Sequence, residues 1–309
     1  MSAPRQNADA FALKVMLCLC VIWGVQQVAI KSVALDVAPV MQAALRSGIS
    51  AVLVALLMCW RGGWGHIGQS WRPGLLAGAL FGLEFLFIAE GLKLSSAAHM
   101  SVFLYTAPVF TALGLHFMLP SERLRRLQWL GICLAMAGIV VAFAGGISLQ
   151  HMDWRMLLGD GLGLLAGLAW GATTVVVRTT RLSEAPATLA LFYQLIVSFF
   201  GLLLIALLSG QFGQVRLTTA AVSSILFQGI VVSFASYLTW FWLLRKYLAS
   251  NLAVFAFMTP LFGVTFGVLL LGEPLSGNFV LGAVLVLLGI TLVSAEQWLR
   301  RRLQRWLGQ

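Results

Sequence analysis

The sequence predicts an all-α integral membrane protein: ten transmembrane helices built as two inverted five-helix repeats, with both chain ends in the cytoplasm. Three observations carry that expectation. Of 309 residues, 60% are hydrophobic and only 10% charged, where a soluble protein of this size carries about a quarter charged residues. The apolar residues gather into ten long runs. Landmark residues of the first half recur, in order, in the second. A mean hydropathy of +0.94 excludes an ordinary water-soluble globule, a disordered chain and a nucleic-acid binder.

A bilayer core about 30 Å thick takes about 20 mostly apolar helical residues to cross. The runs that reach this length are 13–31, 39–60, 73–92, 97–118, 129–147, 159–178, 187–209, 219–244, 250–271 and 277–297. They must be helical, because lipid offers no partner to an unpaired backbone group. The first holds Trp23-Gly24 with Gln26 and Gln27, and the second holds Arg46. The third carries a Gly74/Gly78/Gly82 stripe with Glu84 and Glu90, and the fourth has His99 and a mid-span Pro108. The fifth is marked by Gly131 and Gly138. The sixth has Trp170-Gly171 on a Gly163/Gly167/Gly171 stripe, and the seventh has Tyr193, Gln194 and Ser198. The eighth carries Ser233, Ser236, Tyr237 and Trp240. The ninth opens near Asn251 and holds Pro260 with Gly263 and Gly267, and the tenth has Gly282 and Gly289. The connections leave no room for a soluble domain.

The N-terminus does not read as a cleaved signal, since its small residues Ala8 and Ala10 precede the apolar run. With that end in the cytoplasm, fifteen of the 20 basic residues fall inside. Lys31, Lys93, Arg155 and Arg216 fall outside, and Arg46 lies within the second span. The positive-inside rule therefore places both termini in the cytoplasm, and the net charge of +10 is a topology signal. The basic tail 298–309 reads as a helix end lying on anionic lipid headgroups. Cys18, Cys20, Cys59 and Cys133 sit in apolar runs without metal-ligand spacing and behave as small hydrophobes.

The repeat is read from paired landmarks. Trp23-Gly24 returns as Trp170-Gly171, Lys31 as Arg178, and Ala38-Pro39 as Ala185-Pro186. Pro108 is matched by Pro260, Glu122 by Glu273, and Gly131/Gly138 by Gly282/Gly289. Five spans per copy is an odd number, so the second copy enters the membrane from the opposite side. The expected division is a cytoplasmic segment 1–12, a first repeat 13–148, a second repeat 159–297 and the tail 298–309. Inverted repeats closed around a midplane site are the architecture of alternating-access carriers.

On these features the chain resembles the drug/metabolite transporter superfamily, specifically its proteins of two EamA-type domains, from about residue 12 to 296. The matching features are the two Trp-Gly pairs, Leu45-Arg46, Leu92-Lys93-Leu94-Ser95-Ser96-Ala97-Ala98 through Ala107-Pro108-Val109-Phe110, Ser121-Glu122-Arg123-Leu124 with Gly131, and Gly272-Glu273-Pro274-Leu275 with Gly282. Ser121 departs from the pattern, standing where the family carries the glycine seen at Gly272. The resemblance implies ten helices with cytoplasmic termini and transport of amino acids, other small metabolites or toxic compounds, most members exporting and a minority importing.

Ionisable groups inside a membrane are costly and mark candidate sites. Arg46, Glu84 and Glu90 are coupling or ion-pair candidates. Glu84 and Glu90 stand six residues apart and so cannot share a helix face. His99 aligns with Asn251 as a symmetric polar pair. Residues three and four apart share a face, which gives polar and aromatic stripes: Trp23 with Gln26 and Gln27, Trp170 with Thr173, and Tyr237 with Trp240; the seventh span adds Tyr193 and Gln194. The substrate-cavity candidates are therefore Trp23, Gln26, Gln27, Glu84, His99, Trp170, Thr173, Tyr193, Gln194, Tyr237, Trp240 and Asn251. The aromatic and amide members have an alternative reading as interfacial belt or helix glue, Glu84 as a structural ion pair, and His99 as hydrogen-bonded structure. Pro108 and Pro260 are hinge candidates, or else static kinks. The glycine stripes read as close-packing faces.

No phosphate loop, HExxH or specific nucleophile–base pair is present, so no catalytic residue, metal or cofactor is expected and the chain is not read as an enzyme. The expected protein is a multi-pass inner-membrane secondary transporter exporting a small organic metabolite, as a monomer or homodimer without nucleic-acid partners. The alternatives are an importer or uncoupled facilitator, and further off an integral-membrane enzyme on lipid-linked substrates.

Overall fold

The computed structural model describes residues 9–119, 123–144, 153–247, 255–256 and 258–306. Those residues form a helical bundle. In chain order it comprises α1 (Ala10–Ser32), α2 (Pro39–Arg61), α3 (Ile67–Gly91), α4 (Ala97–Leu104), α5 (Ala107–Met118), α6 (Arg126–Ala144), α7 (Trp154–Thr179) and α8 (Ala187–Leu208). Next comes α9 (Thr219–Leu226), which runs through a wide π-helical segment, Phe227–Ser236, into α10 (Tyr237–Lys246); α11 (Met258–Leu271) and α12 (Gly277–Trp306) follow. Seven of these stretches are long and apolar enough to cross a membrane, and Arg126–Ala142, Met258–Leu271 and Gly277–Leu292 are shorter apolar helices. Multi-pass membrane character is thus plain. The seven long stretches correspond to predicted spans one to four and six to eight.

Side-chain caps start three of the helices, α1 and α7 three and five residues ahead of the predicted spans and α4 at the predicted residue. The Asp9 carboxylate accepts from the Ala12 amide at 2.8 Å, Ser96 from His99 at 2.9 Å and Asp153 from Met156 at 3.1 Å. Each satisfies one of the orphan donors of a first turn. The fourth predicted span is broken. Tyr105 and Thr106 leave the helix between α4 and α5, and Pro108, which has no N–H to give, lies in the first turn of α5. Pro260 is buried near the start of α11.

Helix pairing repeats between the halves. α1 packs on α11 as α7 packs on α4 and α5, and α3 packs on α8 as the π-helical segment packs on α2. α2 pairs with α8, α4 with α11, and α6 with α12. Glycines allow these approaches. A Cβ on Gly167 would stand 2.6 Å from Thr106 Oγ1 and 2.9 Å from the Phe103 carbonyl oxygen, so the break in span four lies against the α7 stripe. Gly138 and Gly282 likewise bring α6 against α12. Large apolar side chains such as Leu56, Leu204, Leu208 and Leu269 point outward, as a surface facing acyl chains requires. Most of the buried apolar residues form one cluster around α2, α3 and α8. A second joins α4–α7, α11 and α12, and a third joins α1, α10 and α11.

Candidate functional site

The interior holds a charged centre. Arg46 on α2 is 0% exposed and Glu84 on α3 is 5% exposed. None of the three guanidinium nitrogens has a hydrogen-bond partner, nor does Glu84 Oε2, and no ion pair joins the two side chains. The guanidinium lies over the Phe85 ring, with Cζ 3.6 Å from its centroid. The Tyr237 hydroxyl is beside the guanidinium without making a well-formed hydrogen bond, and Glu84 is within electrostatic reach of Arg46, Tyr237 and Tyr105. Burying an ion costs several kcal/mol, and a desolvated cation–π contact returns about 2 kcal/mol. The guanidinium is therefore under-coordinated.

Elements of both halves build the surroundings. Tyr105, released by the break between α4 and α5, lies edge-on to Trp170 of α7 at 5.2 Å between centroids and borders Thr259 of α11. Phe81 of α3 packs edge-on to Phe85 at 4.9 Å and to Tyr237 of α10 at 6.5 Å. The π-helical segment contacts α2 beside Arg46, where Ser50 donates both to the Arg46 carbonyl at 2.9 Å and to the Gly229 carbonyl at 2.7 Å. π-Helical turns concentrate at functional sites.

A second polar cluster closes one end of the bundle. Lys31 donates to the Glu273 carboxylate at 2.9 Å and to the Ser95 carbonyl at 2.8 Å. Glu273 also accepts from the Ala97 and Ala98 amides, at 2.8 and 3.0 Å, and so caps α4 from another helix. Gly272, at φ 65°, supplies the left-handed turn that swings Glu273 back. Ser95 further donates to Asp160, whose other oxygen is 2.8 Å from His99 Nδ1, and the His99 ring stacks on Phe279 at 3.7 Å. At the opposite end a cleft of about 810 Å³ opens, lined among others by Trp71, Arg72, Leu119, Arg178 and Arg181.

The structure places the remaining candidates as follows. Trp23 donates its indole N–H to Ser236 at 2.8 Å and lies edge-on to Trp240. Gln26 and Gln27 are buried, Gln27 with an unpartnered Oε1. Thr173 spends its hydroxyl on its own helix, at the Ala169 carbonyl. Tyr193 donates to the Ile67 carbonyl at 3.0 Å and covers Gly74, at the cleft end, with the half-buried Gln194 beside it. Glu90 pairs with Lys93 at 2.6 Å, both partly exposed. Asn251 lies outside the described residues. Sequence reasoning did not single out Asp160, Tyr105 or Thr259. Asp160 was hidden at the edge of its span, and the other two as common residues in apolar surroundings.

Comparison with known proteins agrees with this architecture. The family model described as the EamA-like transporter family matches twice, at residues 10–144 and 157–295. The uncharacterized transporter YoaV of Bacillus subtilis is 27% identical over 90% of this chain and 96% of its own length. A probable amino-acid metabolite efflux pump of Salmonella typhimurium is 27% identical over 89% of this chain and 91% of its own. One of Escherichia coli is 25% identical over 89% and 91%. A crystal structure at 20% identity shares the fold, with a TM-score of 0.62 over 95% of this chain and 98% of that one. With its two halves each matched in turn, the chain is a member of the EamA-like transporter family.

Proposed function

We propose that the protein is a secondary transporter that exports a small organic metabolite, an amino acid or drug-like compound, across the cytoplasmic membrane by alternating access. The observation that carries this reading is the under-coordinated Arg46 beside Glu84, enclosed by rings from both repeats. Buried polar groups are normally satisfied, and a polar centre left open inside an apolar bundle is arranged for a passing solute. In this reading ten helices span the membrane, the halves are inverted, and both termini are cytoplasmic. The Lys31–Glu273 cluster then closes the outer side, while the cleft beside Arg72 and Arg178 faces the cytoplasm. Rocking of the halves about the break at Tyr105–Thr106, with Pro108 and Pro260 as hinges, would exchange the two openings. Export as the direction rests on the named efflux relatives.

The test is solute counterflow. Purified protein in liposomes preloaded with unlabelled L-amino acids or drug-like cations is given the labelled solute outside. Accelerated uptake driven by the trans solute is the expected result. Uptake that ignores trans solute would mark a pore, and no uptake of any member of the panel would overturn the reading.

A further inference from the structure

We infer that the centre takes the zwitterionic head of a small α-amino acid, its carboxylate on Arg46 and its ammonium on Glu84, with an apolar side chain among the rings. The inference rests on the centre being the transporter's solute site. Arg46 is fully buried, and every nitrogen of its guanidinium lacks a partner, so it presents five donors in the planar fork that carboxylates match. Glu84, close by, offers an unpartnered carboxylate oxygen. A simple anion brought to Arg46 would face the Glu84 charge, and a simple cation brought to Glu84 would face Arg46. A solute carrying both charges on neighbouring atoms answers both at once. The two side chains do not neutralise each other by direct contact, which leaves each its own bonding capacity.

The rest of the lining sets the side-chain preference. Phe85 lies under the guanidinium and Tyr237 beside it, Phe81 packs on both of those rings, Tyr105 is within electrostatic reach of Glu84, and Trp170 backs Tyr105. Among the groups shown near the centre there is no second unpaired charge to receive a charged side chain. Neutral, apolar amino acids are therefore favoured over aspartate, glutamate, lysine and arginine.

The experiment measures binding, separately from transport. Purified full-length protein in detergent is titrated with L-phenylalanine, with 3-phenylpropionate, which lacks the ammonium, and with 2-phenylethylamine, which lacks the carboxylate. L-Leucine and L-lysine test the side-chain preference. Each analogue missing one charge is expected to bind at least about tenfold more weakly, the loss of one charge-assisted interaction. Because this series uses the unaltered protein, it does not depend on any variant folding. In E84Q, binding of L-phenylalanine should fall while that of 3-phenylpropionate holds or improves, narrowing the gap. R46Q should abolish binding of both carboxylates. One-charge analogues that bind as tightly as the amino acid, an unchanged gap in E84Q, or no binding of any amino acid would overturn the inference. Counterflow of another solute without amino-acid binding removes the inference and leaves the transporter. Amino-acid binding without counterflow does the reverse.

Discussion

Glu273 shows how much one side chain can hold together. Its carboxylate takes an ammonium from α1 and two backbone donors from α4, at a helix N-terminus where the macrodipole favours negative charge. Removing it orphans two amides and leaves Lys31 only the Ser95 carbonyl, whereas removing Lys31 leaves the carboxylate with both amides. E273A is therefore expected to destabilise the protein by about 3 kcal/mol, from charge-assisted bonds of about 1.5–3 kcal/mol each reduced by partial exposure. K31M should cost less, and E273Q should fall between alanine and the parent. Unfolding titrations in mixed micelles read this order, and a K31M as damaging as E273A would contradict it. At this scale the sequence was legible where a charge stood alone inside an apolar run, as with Arg46 and Glu84. It was opaque where the deciding partner came from far along the chain: nothing local to Asp160 or His99 announces that they meet across 61 positions.

At the scale of elements, α7 offers two glycines with opposite fates. A methyl group at Gly167 meets the Thr106 hydroxyl and two backbone oxygens of α4 within 3.0 Å, while one at Gly161 meets nothing within 4 Å. Backbone cannot yield as a side chain can, so G167A should cost about 1–3 kcal/mol by overpacking. G161A should stabilise by up to about 1 kcal/mol, since Gly is the poorer helix former. Thermal unfolding of the two variants side by side tests the contrast, and equal behaviour would refute it. The glycine stripes were readable because small residues at every fourth position have one simple use between helices. The bend in span four was foreshadowed by Pro108, but the release of Tyr105 toward the centre was not, because the helix stops short of the proline. The π-helical segment left no trace in composition: one additional residue per turn changes neither hydropathy nor its spacing enough to notice.

The whole molecule is two similar halves in reciprocal contact, and this was the most legible level. Paired landmarks in the same order stand out in the sequence, and those the structure describes, such as Pro108 and the pair Gly138 and Gly282, sit at a break and at close approaches where few residue types serve. The proposed orientation follows from basic residues alone, so reporter fusions supply a direct check. An activity requiring the cytoplasm should appear on fusions at either terminus, and one requiring the outer side should appear when the reporter is inserted beside Gly213. Termini reporting from opposite sides would break the orientation and the inversion together, whereas both reporting from the outer side would reverse the orientation alone. The centre itself was only half visible in the sequence, since it is assembled from α2, α3, α10 and α11 and from the break between α4 and α5. Such a meeting depends on how the halves close.

The wide coil from Phe227 to Ser236 ends where Tyr237 begins. Rewinding it to ordinary pitch would free a residue and rotate everything beyond by roughly 100° about the helix axis, the angular step of one α-helical residue. Tyr237 would turn away from the guanidinium with no loop having to travel, and the indole of Trp23 would lose its acceptor on Ser236. Ten residues could thus act as a torsional clutch, engaging or releasing the tyrosine from the charge it now faces.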